Sequence, residues 1–130
     1  MSKKQIHKVL LFLKRNPAMT LEEFKEAYET IHAPWGLKMM SDAVRYVRRY
    51  ATLVACPHDE NVKELDFDVI TELWYEDKTA ADAVASHAGR NQLPPEALPD
   101  GQQMFDLAKM RVITVVESDS TLERSVNEFA

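Results

Sequence analysis

The sequence predicts an α+β fold in which four strands and two helices follow one another in the order βαββαβ. Three observations carry that prediction. Residues 8–13, 44–54, 67–75 and 110–116 are short runs of β-branched, leucine and aromatic residues, the composition of strands. Residues 20–35 and 79–88 place apolar side chains at three- and four-residue intervals, the period of a helix with one buried face. The breakers Asn16, Pro17, Pro57 and Gly89 fall between these stretches.

The first strand, KVLLFL, is apolar at every position after Lys8, which suits burial on both faces. In the helix that follows, Leu21, Phe24, Tyr28, Ile31, His32 and Trp35 share one face, while Glu22, Glu23, Lys25, Glu26 and Glu29 take the opposite, solvated one. Thr20 and Glu23 have capping-box spacing, each side chain able to satisfy a backbone N–H that the first turn leaves free. Pro34 disfavours helical geometry at Ala33, which predicts a helix ending near His32 and a short turn over 36–40. The second strand sets Tyr46, Arg48, Tyr50 and Thr52 on one face and Arg45, Val47, Arg49 and Leu53 on the other. Pro57 ends it, and 56–65 is a polar connection to the third strand.

Thr79 is expected to cap the second helix, whose face of Ala80, Ala83, Val84 and His87 allows close approach to a sheet. Gly89 is placed to end it. The loop 90–101, RNQLPPEALPDG, holds three of the six prolines and reads as a lid or a disordered segment. Residues 102–108 suit one or two helical turns bearing Met104, Phe105 and Leu107, before the fourth strand. In the tail, Leu122, Val126 and Phe129 recur at helical spacing, as in a short docking helix.

This order is the split βαβ arrangement of ferredoxin-like folds, an antiparallel four-stranded sheet with both helices on one face. The other face would ordinarily be polar. Instead, Val9, Leu11 and Leu13 alternate with Leu10 and Phe12, and Val112 and Val116 with Ile113 and Val115. A sheet apolar on both faces has to be covered on both, so the expectation is a homodimer with sheets face to face.

At 130 residues the chain is expected to form one domain, 1–130. Its net charge of −5 argues against a nucleic-acid or anionic-membrane partner, since the one basic concentration, Arg45, Arg48 and Arg49, is too short for a nucleic-acid groove. Cys56 is the sole cysteine, so no intrachain disulfide forms and a cytoplasmic setting is the simpler expectation. No signal-peptide cleavage pattern follows MSKKQIHK, and no apolar stretch approaches membrane-spanning length. His7, His32, His58 and His87 are widely spaced, and three glycines make no phosphate loop, so neither a metal nor a cofactor is expected.

What remains is acid/base and aromatic chemistry. An imidazole at a helix C-terminus is drawn toward its charged form by the macrodipole and toward its neutral form by burial, which would leave His32 titrating near neutrality. Two readings stand: an acid/base group, or a core histidine bonded to a backbone carbonyl. Tyr28 lies one turn before it, so phenol and imidazole share a volume over the sheet. Glu72, flanked on its face by Ile70 and Trp74, would carry a raised pKa unless an arginine of the second strand pairs with it. Trp35 and Trp74 read as core aromatics that also line a cavity. His87, beside the proline-rich loop, is either a second acid/base group or a solvated histidine, and His58 is a surface residue.

Several motifs together resemble the EthD family of dimeric α+β barrels. They are LKR at 13–15, LEEF at 21–24 with Tyr28, HAP at 32–34, RYVRRY at 45–50, ELWYED at 72–77 and FDLAKMRVITVVE at 105–117. The resemblance implies a ferredoxin-like subunit paired into a barrel across the sheets. It also implies either an accessory protein of ether degradation or a decarboxylase, dehydratase or cyclase on polyketide or aromatic intermediates, without metal or organic cofactor. The histidine of HAP, here His32, is the residue such reactions would use.

The expected function is therefore a cofactor-independent acid/base enzyme of lyase or cyclase type, acting on a small aromatic or polyketide-like molecule. His32 would move the proton, with Tyr28, Tyr46 or Glu72 orienting it or the substrate. Phe24, Trp35 and Trp74 would form an apolar wall, Arg48 and His87 would contact the substrate, and 90–101 would be the mouth. The alternatives are a non-catalytic ligand-binding or accessory protein, and a cofactorless oxygenase.

Overall fold

The computed structural model describes residues 5–39, 42–88 and 104–123, and the side chains of all of these but 39, 87 and 88. Four antiparallel strands form one sheet in the order β2-β3-β1-β4: β1 His7–Leu13, β2 Ala43–Tyr50, β3 Val69–Tyr75 and β4 Arg111–Thr114. Between β1 and β2 runs a helical segment, α1 Leu21–Ala27, a π-helical turn Tyr28–His32 and α2 Ala33–Met39. α3, Lys78–Ala88, joins β3 to β4. This is the ferredoxin-like order, and the fold class read from the sequence holds.

The register fixes what each face carries. Val9 pairs with Leu73, Leu11 with Thr71 and Leu13 with Val69, and on the other side of β3 Tyr46 pairs with Leu73, Arg48 with Thr71 and Tyr50 with Val69. Directly paired residues point to one face, so this set lies together beneath the helices. β3 alternates in strict order, with Val69, Thr71, Leu73 and Tyr75 buried and Ile70, Glu72 and Trp74 only partly so. A register shift between Ala43 and Arg45 leaves Val44 as an exposed extra residue.

The helix face holds two packed clusters. Phe24, Tyr28 and Ala33 pack with Leu13, Val69, Met104 and Phe105. Ala81 of α3 packs with Val9, Leu73 and Tyr75, its small side chain letting α3 lie close on β1 and β3. At the end of β1, Lys14 and Arg15 both pair with Glu64 and Asp68, at 2.8–3.5 Å, tying the strand to the start of β3.

Thr20 and Glu23 close the capping box, at 3.1 and 2.9 Å. The helix does not stop at His32, however. Ala33 donates its N–H to the carbonyl of Tyr28, five residues back, and Pro34, which has no N–H to give, follows directly in the first turn of α2. A wide turn absorbs the proline instead of ending the helix. Other elements differ in extent. Asp77, not Thr79, caps α3, its carboxylate accepting from the Thr79 N–H at 3.1 Å. β2 ends at Tyr50, with Val54 94% exposed beyond it. The stretch expected to be helical before β4 holds an isolated bridge between Arg15 and Phe105 and a 3-10 turn, Leu107–Lys109. Residues 118–123 are exposed and have no regular secondary structure. The loop 90–101 and the tail beyond 123 lie outside the described residues.

Candidate functional site

Tyr28 projects from the helix onto the middle of β3, where its hydroxyl is hydrogen-bonded to that of Thr71. Tyr46, one strand over, donates its hydroxyl to Tyr28 at 3.3 Å. Three side chains thus form a buried hydroxyl chain between helix and sheet. Burial, reinforced by Tyr46, holds the Tyr28 phenol well above its ordinary value, so it stays protonated. Burial also raises Tyr46.

His32 lies one turn further along the helix, its ring in edge contact with Tyr28 and Phe105 at 4.8 and 5.2 Å between centroids, and tilted against Trp35 at 5.6 Å. Its Nδ1 is buried and has no hydrogen-bond partner among the described residues. Burial lowers its pKa from 6.5 to about 4. The helix-end effect expected from the sequence is absent because the helix continues past it, so desolvation acts unopposed and the imidazole is neutral at pH 7. A neutral imidazole accepts protons and hydrogen bonds; it is not a standing acid.

The flank toward β2 is an ionic clamp. Arg48 holds Glu29 through two parallel bonds, Nε to Oε2 at 2.7 Å and Nη2 to Oε1 at 2.8 Å, and Tyr50 donates to the same carboxylate. Arg48 keeps the Glu29 carboxyl below the usual carboxylate range. The guanidinium also lies 4.8 Å over the Tyr46 ring, steadying the phenol that feeds Tyr28.

The helix face thus brings together His32, Tyr28, Tyr46, Phe24, Trp35 and Arg48. It does not bring Glu72 and Trp74, which the β3 alternation sends to the opposite face. There the Glu72 carboxylate accepts from Trp74 Nε1 at 2.5 Å and pairs with Arg49 at 3.3 Å. Burial alone would raise the Glu72 pKa, but these two partners outweigh it and hold the group low. Grouping Glu72 and Trp74 with His32 in one chain is therefore corrected: sheet parity puts a layer of backbone between them. The backbone of His87 belongs to α3, and its side chain is outside the described residues.

Phe105, Thr71, Glu29 and Tyr50 belong to the site without having been singled out from the sequence. Tyr50 carried a usable signal, since it shares its strand face with Tyr46 and Arg48, whereas Thr71 lies on the face of β3 opposite the chosen Glu72 and Trp74. Phe105 carried none, because its place depends on a bridge to Arg15, 90 positions earlier in the chain. A groove of about 490 Å3 lined by Phe12, Asp66, Phe67, Lys109, Arg111 and Ile113 lies away from His32, on the open side of the sheet. Among the described residues no group of three or more His, Cys, Asp or Glu side chains is placed to hold a metal ion, and no helix is long and apolar enough to cross a membrane.

Known structures with this arrangement are distant in sequence. The chain resembles the Arabidopsis thaliana protein At3g17210 in crystal form, with 16% identity, a TM-score of 0.55, and 89% of this chain and 99% of that one covered. The solution structure of the same protein gives 15% identity, a TM-score of 0.56, and 94% and 97% covered. A dimeric ferredoxin-like protein of unknown function from Jannaschia sp. is also similar, at 15% identity, a TM-score of 0.46, and 87% and 100% covered. No curated protein matches the chain. The model of the EthD domain matches residues 16–108, which span α1 through α3 and the Phe105 bridge, and the chain therefore belongs to the EthD family.

Proposed function

We propose that this protein is a cofactor-independent proton-transfer enzyme, of lyase or cyclase type, acting on a small aromatic or polyketide-like molecule bound beside His32. The observation that carries this reading is the position of the His32 imidazole, packed among Tyr28, Phe105 and Trp35 one turn from the buried hydroxyl chain of Tyr28, Tyr46 and Thr71. His32 is the proton acceptor. Tyr28 and Tyr46 stay protonated and fix the floor of the site through Thr71. Trp35 and Phe105 shield the imidazole from water, with Phe24 packed behind Phe105 and Tyr28, while Arg48, held by Glu29, braces the wall without offering a free charge. Turnover of a panel of aromatic and polyketide-like acids by the wild type and by His32→Ala tests this. A general base contributes about 10²–10⁴-fold, so a loss of that size in the variant is expected, and undiminished turnover would remove His32 from the mechanism.

A second reading, a ligand-binding accessory protein with the same pocket, is favoured by one observation. Among the described residues the one carboxylate of the cluster, Glu29, is engaged by Arg48 and Tyr50, so none of them gives His32 an acidic partner. Binding of the same panel without turnover, by both forms, would select it.

The working form is proposed to be a homodimer joined through the open sheet face, in the cytoplasm. Support comes from the apolar residues there, Leu10, Phe12, Val47, Ile70 and Ile113, which among the described residues no helix covers. Ile113 is 39% exposed and Val115, next but one along the chain, 37%.

A further inference from the structure

β4 lies at an edge of the sheet, and among the described residues its backbone forms a ladder with β1 alone. Its outer row of N–H and C=O groups is open to another strand. Sheets commonly guard such an edge with lysine, proline or an inward-pointing charge. Here the five residues between Arg111 and Glu117 are all β-branched, VITVV, and Val116 is 99% exposed. The stretch is also complementary to itself. Counted outward from Thr114, Ile113 answers Val115, Val112 answers Val116 and Arg111 answers Glu117. Two copies laid antiparallel about a two-fold axis at Thr114 would set each residue opposite its match on the other chain. The faces agree as well. Arg111 pairs with Phe12 and Ile113 with Leu10 on the open face, and Lys8, on that same face opposite Trp74, reaches Glu117 at 2.7 Å. Both charges keep bonding capacity to spare: Arg111 gives only Nη1, to the carbonyls of Ala108 and Met110, and Lys8 takes only Oε1 of Glu117.

We propose that β4 pairs edge to edge with β4 of a second copy, antiparallel and centred on Thr114, as a seam along which the two open sheet faces turn toward each other. Arg111 of one copy then stands opposite Glu117 of the other, and this contact occurs twice. The occupant of the edge is a second copy of this chain because the match is between residues of one strand. A two-fold axis through the seam relates the open faces too, so edge and face contacts belong to one pair of chains. The seam deepens the homodimer reading and rests on it. It adds which edge joins, in which register, and which charges select that register over its neighbours, since a slip of one residue would face unlike sides of the strand.

Two measurements on the full chain test the seam. In a Cys56→Ser background, which removes the native thiol, Thr114→Cys puts one thiol of each chain at the axis, where opposed Cα atoms stand about 4.5–5.5 Å apart, within disulfide range. Mild oxidation is expected to link the chains in non-reducing electrophoresis, whereas Val112→Cys in the same background, whose opposite number is Val116, is expected not to link. By sedimentation equilibrium, Arg111→Glu and Glu117→Arg are each expected to raise the dissociation constant of two chains about tenfold, because each places like charges opposite one another twice. The double variant Arg111→Glu with Glu117→Arg is expected to return it toward the wild-type value. No link through Thr114→Cys, equal links through both cysteines, or a double variant no tighter than either single one would each overturn the seam. Such a failure in a wild type with the mass of two chains would leave the face contact standing; the mass of one chain throughout would remove both.

Discussion

A histidine in water keeps its proton up to about pH 6.5; the ring of His32, walled by Tyr28, Phe105 and Trp35, loses it near pH 4. The sign of the consequence follows from which state binds more protons. Between these two values the unfolded chain protonates His32 and the folded chain does not, so stability is full above the upper value and falls as pH drops toward the lower one. The expected loss is of the order of 3 kcal/mol, read as the difference between urea denaturation at pH 7 and at pH 4, and His32→Leu should flatten that part of the profile. The neighbouring hydroxyl chain makes its own prediction. Thr71→Val takes one partner from the Tyr28 phenol in a buried setting, and should cost about 1–2 kcal/mol by thermal or chemical denaturation. Helical spacing made the pairing of Tyr28 with His32 legible in the sequence; that Tyr46 and not Glu72 joins them was not, since spacing does not say which strand face lies beneath the helix. The protonation of His32 was not, since it depends on how far the helix runs and on Phe105, neither of which local spacing encodes.

At the level of elements, the first helix shows where local rules and tertiary structure part. Thr20 and Glu23 start it as their spacing requires. Pro34 ought to end it and does not, because one five-residue hydrogen bond widens the turn and leaves the proline in the first turn of α2. Preference rules describe what a residue disfavours in an isolated chain, whereas here Ala33 is buried in the core cluster and packing outweighs the local penalty. α3 approaches the sheet closely, as its alanines predicted, but on a turned face: Ala81, outside the expected set, is 2% exposed against Val9 and Leu73, while Ala83 is exposed. Ala81→Leu should therefore be poorly tolerated, with a loss of about 1–3 kcal/mol by urea denaturation. The cap was misplaced by two residues because Asp77 and Thr79 are both good capping types, and only the observed carboxylate-to-N–H bond separates them.

Across the whole molecule, the sheet divides the chemistry in two. The helix side holds the imidazole and its hydroxyls; the open side holds Leu10, Phe12, Ile70 and Ile113 among Lys8, Arg45, Arg49 and Glu72. That the sheet is apolar on both faces could be read from two strands alone, and it is the ground for expecting a dimer, whereas the fold class was legible in the order of the elements. Which face Glu72 and Trp74 take follows from strand parity, but that the helices sit over the other face required the register. Ile113→Lys, placing a charge in the middle of the open face, should convert a species with the mass of two chains into one with the mass of a single chain in sedimentation equilibrium. Helix content should be unchanged.

The chain has two tryptophans, and the sheet separates them. Trp35 leans on the His32 ring. Trp74 lies across the sheet between Lys8 and Arg45, whose cations stand 4.2 and 4.6 Å from its ring. Intrinsic fluorescence therefore contains one optical reporter per surface: Trp74→Phe leaves an emission that answers to occupancy beside the imidazole, and Trp35→Phe one that answers to association of chains.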